Sequence, residues 1–175
     1  TFVPKLLADE LKTKFHFITH ERSHVIWIYE SRGVYTPRGE EVIRDGAREA
    51  LGDFATAHRV NEVVEHIRET TFHDPEEFEP PVNLINLANG IFNIENNELK
   101  THTPTLIFIN QLPINYDPNA TCLKIGKFLL EVLGDEGQIA AIVQAIGYSL
   151  LRDYSIRKAF FFVGEGANGK STTIR

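Results

Sequence analysis

The amino-acid sequence predicts an α+β fold that is mostly helical, with two small β elements and one strand of an α/β domain near the carboxyl end. Two observations predict the first part: β-rich runs bounded by turn residues occur in two regions, and apolar residues recur at helical spacing between and after them. The third observation is an aromatic run in front of a glycine-rich loop. At 175 residues, with 42% hydrophobic and 24% charged, the chain is long enough for a sizeable core and is not disordered.

Residues 1–73 are predicted to begin with a helix and a hairpin. Pro4 suits the first position of a short helix, where its missing N–H is not needed. β-Branched and aromatic residues at 25–29 and 34–35 flank a Ser-Arg-Gly turn. This arrangement predicts an antiparallel hairpin.

Two helices are predicted to complete this segment, because the apolar period lengthens after Glu40. They are separated either at Gly52 or at residues 56–58. Their apolar faces are expected to contain Ile43, Ala47, Ala50, Leu51 and Phe54, then Val60, Val63, Val64 and Ile67. An acidic, proline-rich connector at 74–81 is expected to run over the surface.

Residues 82–157 are predicted to contain a β meander followed by two helices. Asn-Gly at 89–90 and Asn-Asn at 96–97 mark tight turns between short apolar runs. Residues 116–120 are expected to cap the first helix. The apolar faces of the two helices are Leu123, Phe128, Leu129, Val132 and Leu133, then Ile139, Ile142, Val143, Ile146 and Leu150.

Residues 158–175 hold the most informative motif. Residues 164–171 read Gly-Glu-Gly-Ala-Asn-Gly-Lys-Ser, a complete GxxxxGK(S/T) loop. Its glycines at 164, 166 and 169 are expected to adopt positive φ angles and to bring backbone N–H groups against phosphate oxygens. Lys170 would contact the β and γ phosphates, and the Ser171 hydroxyl would hold Mg²⁺. The apolar run at 158–163 predicts a buried strand that leads into the loop, with a helix after it.

The charge of the chain argues against a surface that holds nucleic acid by itself, since the net charge is −6. Local basic residues are either DNA contacts or solvated surface, namely Lys124 with Lys127, and Arg152 with Arg157 and Lys158. Aromatic residues of the hairpin would stack on single-stranded bases or, as the alternation favours, form one buried face. They are Trp27, Tyr29 and Tyr35.

Cysteine usage and hydropathy indicate an intracellular protein with no membrane contact. The single cysteine, Cys122, excludes an internal disulfide and fits a buried thiol in a reducing compartment. No apolar stretch approaches the roughly 20 residues that span a bilayer, and the first residues do not resemble a signal peptide.

Histidines and acids outside the loop are candidate metal ligands that the local pattern disfavours. His16, His20 and His24 stand four residues apart, but the pattern around them is strand-like, which favours ordinary surface histidines. Asp135 and Asp153 precede the loop and are interpreted as helix-end or surface carboxylates.

Five segments occur in a fixed order: Asn89–Ile94, Tyr116–Cys122, Phe128–Leu129, Gly147–Leu150 and Gly164–Thr172. In that order and rough spacing they resemble the primase-helicases of phages, plasmids and large DNA viruses, whose helicase belongs to superfamily 3. The resemblance covers about residues 75–175 well and extends more loosely upstream. It identifies the closing strand and loop as the start of an α/β P-loop ATPase.

The resemblance implies a fragment of an ATP-dependent DNA helicase that serves replication of a virus, phage or plasmid. It implies ATP and Mg²⁺ as cofactors, DNA as a partner, a hexameric ring, and often a primase domain in the same chain. Lys170 is the implied catalytic residue, and Ser171, or Thr172 beside it, the implied Mg²⁺ ligand. The implied nucleotide-binding residues are Gly164, Gly166, Ala167, Asn168, Gly169, Lys170, Ser171 and Thr172. Glu165 is expected to face solvent, because a carboxylate aimed at phosphate would be repelled.

Hydrolysis needs an acid that orients water and usually an arginine from a neighbouring subunit, and in this family both follow the loop. We therefore expect this polypeptide alone to show no ATP turnover and to bind nucleotide weakly or not at all. The alternative function is a non-catalytic module of a replication protein that docks DNA or a partner, or that oligomerises. A phosphate-loop kinase fits less well, because that fold normally starts at the strand before the loop.

Overall fold

The computed structural model describes residues 2–152, 157–166 and 169–174. These residues form six α-helices and two small sheets, which confirms the α+β class and the two small β elements. The chain divides into two compact units, residues 1–116 and 117–175. The finer division at 1–73, 74–81, 82–157 and 158–175 stays a prediction.

The helices are α1 (Pro4–Lys14), α2 (Gly39–Leu51), α3 (Ala57–Thr70), α4 (Leu123–Leu133), α5 (Glu136–Ser149) and α6 (Lys170–Ile174). The strands are β1 (Phe17–His20), β2 (Ile26–Glu30), β3 (Val34–Thr36), β4 (Phe72–His73), β5 (Leu84–Leu87), β6 (Gly90–Asn93) and β7 (Glu98–Lys100). Two 3₁₀ helices lie at Gly52–Phe54 and Pro75–Phe78.

The first sheet has the strand order β3-β2-β1-β4, and the predicted hairpin is its β2–β3 pair. β1 runs antiparallel to β2 and parallel to the short β4. The apolar faces of α1, α2 and α3 bury a core against β1 and β2. This core consists of Ala8, Leu11, Phe17, Ile26, Ile28, Ile43, Ala47, Val60, Val63, Val64 and Ile67.

Two helices follow the hairpin as predicted, and Gly52 separates them with a φ of 51°. A non-glycine residue rarely adopts such a positive φ, so the glycine permits the turn. Thr56 then caps α3 by accepting a hydrogen bond from the Arg59 N–H at 3.3 Å. The expected burial of Ala50 and Phe54 is wrong, because Ala50 is exposed on α2 and Phe54 is exposed after the turn at Gly52.

The opposite face of the first sheet is covered by the connector and by residues around Ile107. Ile18, Tyr35 and Ile107 are buried there, with Trp27, Tyr29 and Phe78 packed against them. The connector is expected from the sequence to run over the surface, but its residue Phe78 packs against this buried cluster. Its 3₁₀ helix carries a capping box, and its Phe78 ring lies 5.9 Å from the Trp27 ring.

The predicted β meander is confirmed as an antiparallel sheet in the order β5-β6-β7. Gly90 has a φ of 152°, and a Cβ there would lie 2.4 Å from the Lys100 carbonyl oxygen, so the tight turn requires glycine. Asn86 is buried, and its Nδ2 donates to the carbonyl oxygens of Gly33 at 2.9 Å and Asn110 at 3.0 Å. This amide ties the meander to the hairpin turn.

The second unit contains the two predicted helices, α4 and α5, but residues 116–120 do not cap α4. Cys122 occupies that N-cap position without a side-chain capping bond, and the Asp117 carboxylate accepts from the Asn119 N–H instead. Cys122 is also exposed, which corrects the expected buried thiol. Asp135 caps α5 by accepting from the Gln138 N–H at 2.8 Å, in agreement with its interpretation as a helix-end carboxylate.

The strand expected at 158–163 does not form, since residues 157–165 belong to no helix or strand. Phe161 and Val163 are 86% and 92% exposed. A strand becomes stable when its backbone pairs with a neighbour. Among the described residues no strand pairs with this segment, so its apolar side chains stay in contact with solvent.

Candidate phosphate-binding loop

Lys170, the first residue of α6, folds back over the start of the loop. Its ammonium donates to the carbonyl oxygen of Gly164 at 2.6 Å and to that of Glu165 at 2.8 Å. An ammonium carries three donors and no acceptor. The Lys170 ammonium is thus hydrogen-bonded to the start of the loop and places a positive charge beside Gly164 and Glu165.

Gly169 forms the junction between the loop and α6. Its φ is 79°, a conformation that glycine adopts without strain. Its carbonyl oxygen accepts from the N–H groups of Thr172 at 3.0 Å and Thr173 at 2.9 Å. The hydroxyl of Thr173 donates to the same oxygen at 3.1 Å. Thr173 lies outside the GxxxxGK(S/T) motif, and only the structure reveals its two hydrogen bonds with Gly169 in the first turn of α6.

The positive φ expected at Gly166 is wrong, because Gly166 does not lie in the left-handed region, whereas Gly169 does. A Cβ built on Gly166 would have no heavy atom within 4 Å, so this glycine stands in open space. Ala167 and Asn168 lie outside the described residues. Glu165 is exposed, in agreement with the expectation that it faces solvent.

The two candidate Mg²⁺ ligands, Ser171 and Thr172, are adjacent in α6 and both exposed. Coordination of Mg²⁺ by the hydroxyl of Ser171, or by that of Thr172, stays a prediction. Asp153, weighed as a metal ligand, lies outside the described residues, and Asp135 is engaged as the α5 cap.

The three evenly spaced histidines contact different aromatic neighbours. His16 lies 6.2 Å from the Tyr29 ring, His20 lies 4.8 Å from the Phe78 ring, and His24 lies 5.4 Å from Phe72. The strand and turn that carry them give no shared helical face. In the described part of the chain, no group of three or more potential ligands is placed to hold a metal ion.

The aromatic side chains of the hairpin belong mainly to the second core. Tyr35 is buried, while Trp27 and Tyr29 are partly buried. Base stacking by Tyr35 would require the core to open. Of the candidate basic residues, Lys127 forms an exposed ion pair with Glu131 at 3.8 Å, which is typical of a solvated helix face.

The described residues form an α+β fold, and a glycine-bracketed lysine motif follows the first unit along the chain. The chain belongs to the family of domains described as "D5 N terminal like", which matches residues 6–134. This domain is the N-terminal region of primase-helicase-type replication proteins, which are enzymes. No curated protein matches the chain.

The matched range stops before the loop, so family membership covers α1 to α4 and does not include residues 164–171. None of the helices within the described ranges is long and apolar enough to cross a membrane.

Proposed function

We propose that this chain supplies the pre-helicase domain and the Walker A loop of an ATP-dependent DNA helicase of superfamily 3. The observation that carries the proposal is the complete GxxxxGKS motif, with the Lys170 ammonium closing the loop on the carbonyls of Gly164 and Glu165. The motif follows a domain whose family occurs in primase-helicases. The parent protein acts on DNA as a hexameric ring.

Different residues of the loop bind different parts of MgATP. Lys170 binds the β and γ phosphates through its ammonium, and Ser171 or Thr172 supplies a hydroxyl to Mg²⁺. Gly164, Gly166 and Gly169, with Ala167 and Asn168, allow backbone N–H groups to approach phosphate without an intervening bulky side chain. Bound Mg²⁺ neutralises charge that develops on the phosphates. The acid that orients water and the arginine that stabilises the transferring group are not assigned to this chain.

The test removes the loop charge in the full-length replication protein and measures MgATP affinity and steady-state hydrolysis. Lys170→Ala should lower the turnover rate by about 100-fold or more, because a fixed charge on the transferring phosphate is lost. Lys100→Ala is the matched control, since it removes an equal charge from an exposed position on β7, outside the loop. Unchanged ATP affinity and turnover in Lys170→Ala would overturn the proposal.

Measurements of DNA binding and DNA unwinding separate this function from the non-catalytic docking module. A docking module predicts that the present 175-residue chain binds single-stranded DNA or a partner by itself, independently of Lys170. The helicase proposal predicts DNA unwinding only by the assembled parent and its loss in Lys170→Ala.

A further inference from the structure

Two side chains of α4 pack directly against the junction between the phosphate loop and α6. A Cβ built on Gly169 would lie 3.0 Å from Cγ2 of Val132 and 3.1 Å from Cζ of Phe128. These residues stand four apart on a helix and therefore share one face. The Gly169 backbone thus lies in close contact with an apolar ridge of α4, although the two elements are separated by more than 35 residues.

We infer that Phe128 and Val132 are positioning residues that hold the junction between Gly169 and Lys170, at the end of the phosphate loop, in place for nucleotide binding. This inference rests on the proposed function and extends it, because α4 falls within residues 6–134 and the loop lies outside that range. The family domain would therefore do more than precede the ATPase, since its last helix sets the geometry of the nucleotide site.

The contact reaches Lys170 through backbone hydrogen bonds. Gly169 accepts from Thr172 and Thr173, so its position fixes the first turn of α6. Lys170 begins that turn and reaches back to the Gly164 and Glu165 carbonyls. An apolar ridge against Gly169 limits how far this junction shifts, because packed side chains resist displacement. Removing the ridge lets the loop populate arrangements in which Lys170 is misplaced.

A loop that is competent for only a fraction of the time binds ligand more weakly by that fraction, while the bound state is unchanged. Phe128→Ala and Val132→Ala in the full-length protein should therefore raise the Kd and KM for MgATP by roughly 3- to 10-fold. The kcat at saturating ATP should stay within about twofold of the wild type. Phe128→Leu, which keeps an apolar contact, should restore most of the affinity.

The matched control is Leu130→Ala, a truncation on the same helix at a side chain that is 57% exposed. It should leave Kd and KM unchanged. A second readout needs no nucleotide: amide hydrogen exchange at Thr172 and Thr173 should accelerate in Phe128→Ala, because both N–H groups bond to Gly169. Circular dichroism identifies any variant that fails to fold, and if Phe128→Ala does so, folded Val132→Ala decides the question.

Three outcomes are distinguishable. Weaker MgATP binding with unchanged kcat, together with faster exchange at Thr172 and Thr173, supports the positioning role. Wild-type affinity and exchange in folded Phe128→Ala and Val132→Ala, with Lys170→Ala still inactive, overturns the positioning role and leaves the nucleotide site standing. Wild-type affinity in Lys170→Ala overturns the proposed function and the inference with it.

Discussion

Tyr35 is a buried residue whose polar groups form hydrogen bonds with a distant segment of the first unit. Its side chain is 2% exposed, and its hydroxyl donates to the Pro104 carbonyl oxygen at 2.7 Å. Its backbone N–H donates to the Phe108 carbonyl oxygen at 2.7 Å. Burial, with a smaller contribution from Tyr29, raises the pKa of Tyr35 to about 12. Tyr35 thus joins the edge strand β3 to the segment around residues 104–108.

Tyr35→Phe should destabilise the protein by about 1 kcal/mol at pH 7, because the Pro104 carbonyl loses its donor. In the wild type the folded pKa lies above the unfolded value of roughly 10. Tyr35 therefore loses its hydroxyl proton at a lower pH in the unfolded state than in the folded state. The stability that its neutral, buried hydroxyl contributes is lost as pH rises from about 10 to about 12. Urea unfolding followed by Trp27 fluorescence should show a smaller alkaline loss in Tyr35→Phe. Equal stability at pH 7 and an equal alkaline loss would contradict this assignment.

At the scale of elements, local sequence patterns predict the hairpin and helices well because their contacts are local. The β2–β3 pair is set by a turn at residues 31–33, and α3 by a cap and an apolar period within 14 residues. The GxxxxGKS motif is also contiguous and is therefore easy to find in the sequence, but its binding of phosphate stays a prediction. Phe54 is the instructive failure: helical spacing places it in the core, but the turn at Gly52 leaves it 73% exposed.

What the sequence pattern misses are contacts between residues far apart along the chain. Phe78 lies in a segment whose composition is typical of a solvated connector, yet it packs on β-strand residues more than 50 positions earlier. Phe128 and Val132 carry no motif that links them to Gly169. The run at 158–163 has the composition of a buried strand, but composition cannot supply the neighbouring strand that its backbone requires.

The connector's anchoring is tested by comparing two phenylalanines, each at the end of a 3₁₀ helix. Phe78→Ala should lower the free energy of unfolding by roughly 1–3 kcal/mol, less than a fully buried Phe→Ala change, because Phe78 is partly buried. Phe54→Ala, the control, should change it by about 0.5 kcal/mol or less, since Phe54 is largely exposed. Trp27 is the single tryptophan and reports locally, so its emission should shift to the red only in Phe78→Ala. Equal effects of the two changes would contradict the anchoring.

At the scale of the whole molecule, the two compact units differ in how much apolar surface they bury. Residues 1–116 contain two buried apolar clusters, one on each face of the first sheet. In the described residues of the second unit, Leu129 is the one hydrophobic residue that is buried. Val143, Ile146, Leu150 and Phe160 are each about half exposed or close to it. Most of the hydrophobic free energy of folding therefore belongs to the first unit.

A fragment of residues 1–116 should consequently fold cooperatively, with a Tm within about 5 °C of the first unit's transition in the full chain. It should bind less of the dye ANS than the full chain, because the half-exposed apolar side chains of α5 are removed. A fragment of residues 1–73 is the control and should not fold stably, since it lacks the Phe78 and Ile107 side chains that cover one face of the first sheet. Circular dichroism and Trp27 emission measure both fragments. If residues 1–73 folded cooperatively with the Tm of the 1–116 fragment, the first sheet would not need the Phe78 and Ile107 side chains. If the 1–116 fragment were unfolded, the first unit would not be stable without the second.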